Sequence, residues 1–160
     1  METLLPLAER AGALLKARGE TLAVAESSAG GLVSAALLAV PGASAYFRGA
    51  AVVYTRDARR ALLGLPDAAL DGVPPNSEPL AALMAGAARD RLGATWGLGE
   101  TGAAGPGGNR YGHPAGRACL AVAGPVARSA ALDTGSADRV ANMRLFGAEL
   151  LRLLVGALEG

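Results

Sequence analysis

The stretch Ala25-Glu26-Ser27-Ser28-Ala29-Gly30-Gly31 decides the fold, because it joins a short strand to a helix through a serine. Before it, alternation over residues 21–25 predicts a strand. After it, apolar residues recur between positions 32 and 40 at the spacing of one helical face, which predicts a helix. Ser27 is therefore expected at the carboxyl edge of a sheet, beside backbone N–H groups that lack an intrahelical partner.

The residues of this junction leave two interpretations open. The free N–H groups could bind an anion, or the oxyanion that forms during acyl transfer. Alternatively, Ser27 or Ser28 caps the helix by accepting a hydrogen bond from one of these groups. The first interpretation makes the junction a ligand site, and the second makes it a helix terminus.

Length and composition predict one folded domain over residues 1–160. The net charge is +1 and no basic run occurs, so we expect no nucleic-acid partner. No uncharged apolar stretch is long enough to span a bilayer, and the N-terminus lacks a secretory signal. With a single cysteine, these features predict a cytoplasmic protein without a membrane partner. The spacing of His, Cys and carboxylate residues matches no metal site.

Strand and helix patterns alternate along the chain and predict an α/β sandwich. Strands are expected at 21–25, 49–54, 94–98, 117–123 and 127–132, with the second of them buried. Helices are expected at 4–18, 32–40, 57–63, from Ser77 to before Gly93, and at 140–158. The last two strands flank Gly124-Pro125 as a hairpin, so at least one strand is antiparallel.

The last helix carries apolar residues beyond its core stripe, at Leu145, Phe146, Leu153 and Val155. Such a helix is either enclosed within the domain or shared with another protomer. We favour the second interpretation, which predicts a homo-oligomer.

Three loops are expected at one edge of the sheet, where α/β folds bind ligands. They follow Ala25, Tyr54 and Leu98. The third contains a glycine-rich segment, residues 102–108, whose backbone N–H groups suit a phosphate or carboxylate. It lacks the pattern of a P-loop or a dinucleotide-binding loop. Thr101, just before it, either orients a ligand or ends the strand.

Five segments carry a family resemblance, and they occur in register over nearly the whole chain. The patterns A-E-S-C-T-G-G, G-G-V-V-x-Y-[ST]-N-x-A-K, V-S-E-P, T-G-[IA]-A-G-P-G-G and K-P-V-G match residues 25–31, 49–59, 76–79, 101–108 and 113–116. The chain thus resembles the CinA C-terminal family, the nicotinamide-nucleotide amidohydrolases. The resemblance implies a three-layer α/β/α sandwich around a mixed, mostly parallel sheet of about five strands. It also implies hydrolysis of nicotinamide mononucleotide to nicotinate mononucleotide and ammonia, without a cofactor.

The resemblance further implies a serine nucleophile, a lysine that takes its proton, and a nearby tyrosine. By match these positions are Ser27, Arg59 and Tyr54, so arginine replaces the family lysine. Arginine keeps its proton in proteins, with a pKa above about 12, and cannot act as this base. Its forked donors instead suit a phosphate or carboxylate.

The same match assigns substrate binding to residues near these positions. They are Glu26, Ser28, Gly30, Gly31, Thr101, Gly102, Gly105, Gly107 and Arg139. Besides Arg59, two further changes fall on the proposed site: Ala29 replaces the threonine of the first pattern, and Arg139 is out of register with the C-terminal G-D-R-x-x-x-R-R. Ser28 replaces the cysteine of the first pattern. These departures favour altered or absent amidase activity.

Three functions remain open. The first is a serine amidohydrolase of a pyridine nucleotide, with Ser27 attacking and Tyr54 assisting. The second is a non-catalytic homologue that binds a nucleotide or phosphorylated metabolite through the Ser27 turn, Arg59 and the glycine-rich loop. The third is a structural or assembly module, against which the density of site motifs counts. His113 is a candidate replacement base, whereas Lys16 lies too far along the chain.

Overall fold

The computed structural model describes residues 1–160 and contains a five-stranded sheet between two layers of helices. The strands are β1 (Leu22–Glu26), β2 (Phe47–Val52), β3 (Trp96–Ala103), β4 (Arg117–Ala123) and β5 (Arg128–Asp133). The helices are α1 (Leu5–Arg18), α2 (Leu32–Ala39), α3 (Arg56–Leu63), α4 (Glu78–Arg91) and α5 (Arg139–Glu159). The predicted alternation of strands and helices is confirmed.

The sheet has the strand order β2-β1-β3-β4-β5. Strand β1 runs parallel to β2 and β3, whereas β4 runs antiparallel to both β3 and β5. Four strands therefore point in one direction and only β4 points the other way. The mixed, mostly parallel sheet and the β4–β5 hairpin are confirmed.

The two faces of the sheet bury separate hydrophobic cores. Helices α1, α2 and α5 pack on one face, and α3 and α4 pack on the other. Strand β1 contributes to both, because successive side chains of a strand point to opposite faces. Leu22 and Val24 enter the first core, whereas Ala23 and Ala25 enter the second. The result is the expected three-layer α/β/α sandwich.

Helix α4 lies very close to β3, because two glycines of that strand leave room for the helix backbone. A Cβ built on Gly97 would lie 2.0 Å from the carbonyl oxygen of Ala85, and one on Gly99 would lie 2.0 Å from that of Ala81. The helix runs opposite to the strand, so its N-terminus lies at the carboxyl end of β3. This packing positions the residues just before α4 at the edge of the sheet where ligands are expected.

Strand β2 was predicted to be buried, and this prediction is wrong. Its residues alternate between half-buried and exposed, because β2 lies at the edge of the sheet and pairs only with β1. The apolar residues from Ala50 to Val53 indicate a strand, but they do not reveal its place in the strand order.

Strand β3 is longer than predicted and ends at Ala103. It pairs with β4 residue by residue from Gly97 to Ala103, and this ladder keeps a glycine-rich segment extended. Thr101 and Gly102 therefore lie in the strand, and the glycine-rich loop begins later than expected.

The apolar surface of α5 is mostly covered within the domain. Phe146 is fully buried, and Leu153 and Val155 pack partly against the first core. Val140 and Leu145 stay exposed. Packing within the domain accounts for most of the apolar surface of this helix, and a homo-oligomer stays a prediction.

No helix of the structure combines the length and apolarity that a bilayer crossing needs.

Candidate functional site

A cleft of about 750 Å³ opens at the carboxyl ends of β1 and β3, on the face covered by α3 and α4. The cleft is lined by Ser27, Tyr54, Thr55, Arg56, Asp57, Arg59, Leu70, Val73, Pro75, Asn76, Leu80, Thr101, Gly102, Asn109, Arg110 and Tyr111. These residues come from the segments after β1, β2 and β3 and from the segment before α4. The predicted convergence of the three loops is confirmed.

Ser27, the residue directly after β1, and Thr101 of the neighbouring strand β3 both line the cleft. Ala25 pairs with Gly99, and Ser27 and Thr101 each follow two residues later. Ser27 is 5% exposed and lines the cleft, and its Oγ has no hydrogen-bond partner within the protein. The hydroxyl is therefore available to a ligand.

Glu26 occupies the N-terminus of α2. Its carboxylate accepts hydrogen bonds from the N–H groups of Gly31 (2.9 Å), Val33 (3.1 Å) and Ser34 (2.8 Å), and from the Ser34 hydroxyl. The side chain is fully buried and does not line the cleft. Glu26 therefore stabilises the helix terminus, where a negative charge is favourable, and a role in substrate binding stays a prediction.

Glu100 accepts hydrogen bonds from the serine turn, residues 27–29, which connects β1 to α2. Its carboxylate accepts hydrogen bonds from the N–H groups of Ser27 (2.9 Å) and Ala29 (2.8 Å), and from the Ser28 hydroxyl. Burial raises the pKa of Glu100 above its ordinary value, and the hydrogen bonds from Ser28, Ala29 and Ser27 oppose that rise. Ser28 thus hydrogen-bonds Glu100 and does not line the cleft, and its role in substrate binding stays a prediction.

The two carboxylates decide between the interpretations of the junction. Among the backbone N–H groups of residues 27–34, only that of Ser28 has no hydrogen-bond partner. Neither serine caps α2, because Glu26 does so instead. Most of the donors proposed for an anion or an oxyanion are therefore occupied by the protein itself.

The remaining predicted binding residues outside the cleft shape the backbone. Gly30 and Gly31 have φ values of +69° and +94°, which form the turn into α2. The Arg139 guanidinium donates a hydrogen bond to the carbonyl oxygen of Gly105, so it joins the start of α5 to the glycine-rich loop. Gly107 is exposed on that loop. None of these residues lines the cleft, and their role in substrate binding stays a prediction.

Arg59 projects from α3 and lines the cleft without an ion pair. Its Nε is buried and has no hydrogen-bond partner. Burial lowers the pKa of Arg59, neighbouring Tyr111 opposes this effect, and Arg56 adds to it. A partly desolvated cation without a counter-charge favours an anionic ligand, because the ligand would supply the missing partner.

Two tyrosines and further arginines surround the opening of the cleft. Tyr54 is 59% exposed and Tyr111 is 49% exposed. The Arg110 guanidinium lies 5.0 Å from the centre of the Tyr111 ring and donates to its hydroxyl at 2.7 Å. Arg56 also lines the cleft. Exposed rings beside guanidinium groups suit a ligand that has a flat ring and a negative charge.

No side chain of the structure is hydrogen-bonded to the Ser27 hydroxyl, and the buried Glu100 carboxylate accepts from the backbone N–H of Ser27 instead. Lys16 lies in α1, on the opposite face of the sheet. His113 lies beyond the glycine-rich loop and does not line the cleft. Asp57, the one acidic residue of the cleft, pairs with Arg60 at 2.6 Å. Ser27 thus lines the cleft without a hydrogen-bonded base at its hydroxyl.

Sequence reasoning missed one buried residue of the cleft, Asn76. It is 4% exposed, and neither Oδ1 nor Nδ2 has a hydrogen-bond partner. It is also the only non-glycine residue with a positive φ, +49°. The available signal is an asparagine at the position where the family pattern V-S-E-P has valine.

Comparison with known families agrees with the fold and with the sequence patterns. The family model for the CinA C-terminal domain matches residues 4–158. The chain belongs to the CinA C-terminal domain family.

Curated relatives of this CinA domain are longer than the chain. A CinA-like protein of Anaeromyxobacter sp. (strain K) is 43% identical over 153 residues, which are 96% of this chain and 38% of that protein. A CinA-like protein of Gloeobacter violaceus is 47% identical over 119 residues, which are 74% of this chain and 28% of that protein. The chain thus spans well under half the length of these relatives.

Solved structures of the CinA superfamily share the fold over their whole length. A competence-damaged protein (CinA) superfamily protein from Klebsiella pneumoniae has a TM-score of 0.90 at 26% identity, covering 98% of both chains. The competence/damage inducible protein CihA from Agrobacterium tumefaciens has a TM-score of 0.89 at 30% identity, covering 99% of this chain and 96% of that one.

Proposed function

We propose that this CinA domain binds a phosphorylated pyridine nucleotide of the nicotinamide mononucleotide type and lacks an efficient step of amide hydrolysis. One observation carries the proposal: Arg59 faces the cleft unpaired at the position of the family lysine, while no base is hydrogen-bonded to the Ser27 hydroxyl. Anion binding is thereby favoured and proton removal is disabled.

The phosphate end of the ligand is assigned to Arg59. Its guanidinium offers forked donors that match two phosphate oxygens, and its buried Nε lacks a partner. Arg56 and Arg110 line the same cleft and add positive charge around that group. Asp57 supplies the one opposing charge and is already paired with Arg60.

The ring end of the ligand is assigned to the aromatic and apolar lining. Tyr54 and Tyr111 present exposed rings on which a pyridine can stack. Leu70, Val73 and Leu80 supply an apolar wall in the same cleft. The cavity of about 750 Å³ falls within the usual range for small-molecule sites.

The second candidate is an active amidase, and the unbonded Ser27 hydroxyl favours it. A serine hydroxyl is a weak nucleophile until a base accepts its proton. Because a guanidinium stays protonated, Arg59 cannot be that base. Binding without efficient hydrolysis is therefore the better supported function.

Calorimetry with nicotinamide mononucleotide tests the proposal. We expect heat of binding with the wild type and a Kd at least about tenfold higher for Arg59→Ala, because the charged partner of the phosphate is lost. Arg152→Ala is the matched control, since Arg152 forms a surface pair with Glu149 on α5 and neither residue lines the cleft. Its Kd should stay within about twofold of the wild type.

Ammonia release from the same nucleotide separates the two candidates. Release by the wild type that disappears in Ser27→Ala would replace the binding proposal with the amidase. Absence of any heat with the wild type would reject binding of this nucleotide.

A further inference from the structure

Asn76 is an unusual residue for the interior of a folded protein. Both polar atoms of its side chain are buried without a partner, although buried polar groups are nearly always hydrogen-bonded. Its backbone is held in the left-handed region between well-fixed neighbours: the Ser77 hydroxyl donates to the carbonyl oxygen of Pro74 at 2.6 Å and accepts from the N–H of Leu80 at 3.3 Å. Strain and an unsatisfied group at one residue are typical of functional sites.

Asn76 lies against β4, two strands away from β1 in the sheet. The carbonyl oxygen of Asn76 accepts a hydrogen bond from the Cys119 thiol, with a distance of 3.3 Å between the sulfur and the oxygen. Cys119 pairs with Thr101 across β4 and β3, and Thr101 and Ser27, which directly follows β1, both line the cleft. Asn76 and Ser27 therefore line one cleft, with Asn76 at the end near β4.

The chemistry of this end selects a particular ligand group. A side-chain amide presents a donor and an acceptor side by side, and its natural complement is a second primary carboxamide. A carboxylate offers acceptors only, so it would leave the Asn76 Oδ1 facing another acceptor. Val73, Pro75 and Leu80 make the surroundings apolar, which strengthens a matched pair of hydrogen bonds and penalises a mismatched one.

We propose that Asn76 recognises the primary carboxamide of the ligand through a pair of N–H···O hydrogen bonds, and so distinguishes the amide from the corresponding carboxylate. Both atoms of its amide are shielded from solvent in the free protein, so the side chain must rotate toward the cleft that it lines. No hydrogen bond opposes this rotation. The inference rests on the proposed function, because it assigns the amide end of the nucleotide whose phosphate is assigned to Arg59.

Asn76→Gly is the decisive variant. Glycine adopts a positive φ without strain, so the substitution removes the amide and keeps the backbone. Ser77→Ala is the matched control, because it removes the cap of α4 one residue away and leaves the amide in place.

The measurement is the ratio of two calorimetric Kd values, that of nicotinate mononucleotide divided by that of nicotinamide mononucleotide. We expect this ratio to fall about tenfold in Asn76→Gly and to stay within about twofold in Ser77→Ala. We also expect Asn76→Gly to melt no lower than the wild type, because the amide makes no bond in the free protein. A purely structural asparagine would instead change the melting temperature and leave the ratio unchanged.

Failure of this inference is distinguishable from failure of the proposed function. A ratio in Asn76→Gly within about twofold of the wild type overturns the role of Asn76 and leaves binding at Arg59 intact. If the wild type binds neither nucleotide, the proposed function fails, and Asn76 is then tested with nicotinamide alone. A shift of the Asn76 side-chain amide signals in ¹⁵N-edited NMR, assigned by their loss in Asn76→Gly, supports the inference, and no shift overturns it.

Discussion

At the residue scale, a single side chain changes the chemistry of the cleft. Lysine and arginine are both cations, but only lysine can lose its proton near neutral pH when it is desolvated. Arg59 sits in a position where burial lowers the pKa of a basic group, as the catalysis attributed to the family would require. The proposed function therefore treats Arg59 as a cation that binds an anion, because a guanidinium stays protonated.

Arg59→Lys is predicted to create or increase amidase activity. A positioned general base contributes about 10²–10⁴-fold in rate, so release of ammonia from nicotinamide mononucleotide should rise within that range. Ser27→Ala in the Arg59→Lys background should abolish the gain, and Arg60→Lys should give none. Unchanged release in Arg59→Lys would show that the missing base is not the only defect, with Ala29 the next position to restore.

Glu100 is predicted to make stability depend on pH. Its pKa is raised in the folded protein, so the folded state binds the proton more tightly than the unfolded state. Its contribution to stability is therefore greatest below the ordinary value of 4.5 and is lost as the pH rises through the raised value. In Glu100→Gln this decline should be absent, because glutamine does not titrate.

Urea unfolding from pH 4 to pH 8 measures this difference between the wild type and Glu100→Gln. Glu149→Gln is the matched control, because Glu149 forms a surface pair with Arg152 and should give the pH profile of the wild type. Parallel profiles for the wild type and Glu100→Gln would contradict the prediction.

At the element scale, the position of α4 depends on two glycines of β3, which have no side chain. Gly97 and Gly99 let the helix backbone approach the sheet, and small residues of the helix, Ala81 and Ala85, complete the contact. This approach places the N-terminus of α4, with Asn76 just before it, at the base of the cleft. Packing along the helix thereby determines the geometry of the site.

Gly99→Ala is predicted to destabilise the domain and weaken ligand binding. The new Cβ would lie 2.0 Å from the carbonyl oxygen of Ala81, so α4 must move. Overpacking of this kind costs about 1–3 kcal/mol in the free energy of unfolding, which urea unfolding measures. Gly86→Ala on the same helix is the control: its Cβ meets no atom within 4 Å, and the change should be neutral or stabilise by up to about 1 kcal/mol. Equal stabilities of the two variants would contradict the close-packing argument.

At the scale of the whole molecule, the cleft is assembled from parts of the chain that are far apart in sequence. The loops after β1, β2 and β3 meet because parallel strands bring their carboxyl ends to one edge. The segment before α4 joins them through the packing of that helix on β3. Homo-oligomerisation and a cytoplasmic location remain predictions from the sequence.

Sequence patterns alone predict the order of the elements, the family and five of the residues that line the cleft. Periodicity is a local property, so five strands and five helices were predictable, with errors mainly at the place of β2 and the end of β3. The placement of Ser27, Tyr54, Arg59, Thr101 and Gly102 around one cleft also followed, because their motifs terminate parallel strands or adjoin them.

Which polar groups already have a hydrogen-bond partner follows from the tertiary structure and not from local sequence. Glu100 reaches the serine turn across 71–73 residues of sequence, and no local pattern reveals that it fills the N–H groups of Ser27 and Ala29. The unpartnered amide of Asn76 is likewise a property of its surroundings, since hydrogen-bond satisfaction depends on every neighbour in space. The sequence identifies the polar groups that could bind a ligand, and long-range packing determines which of them lack a partner within the protein.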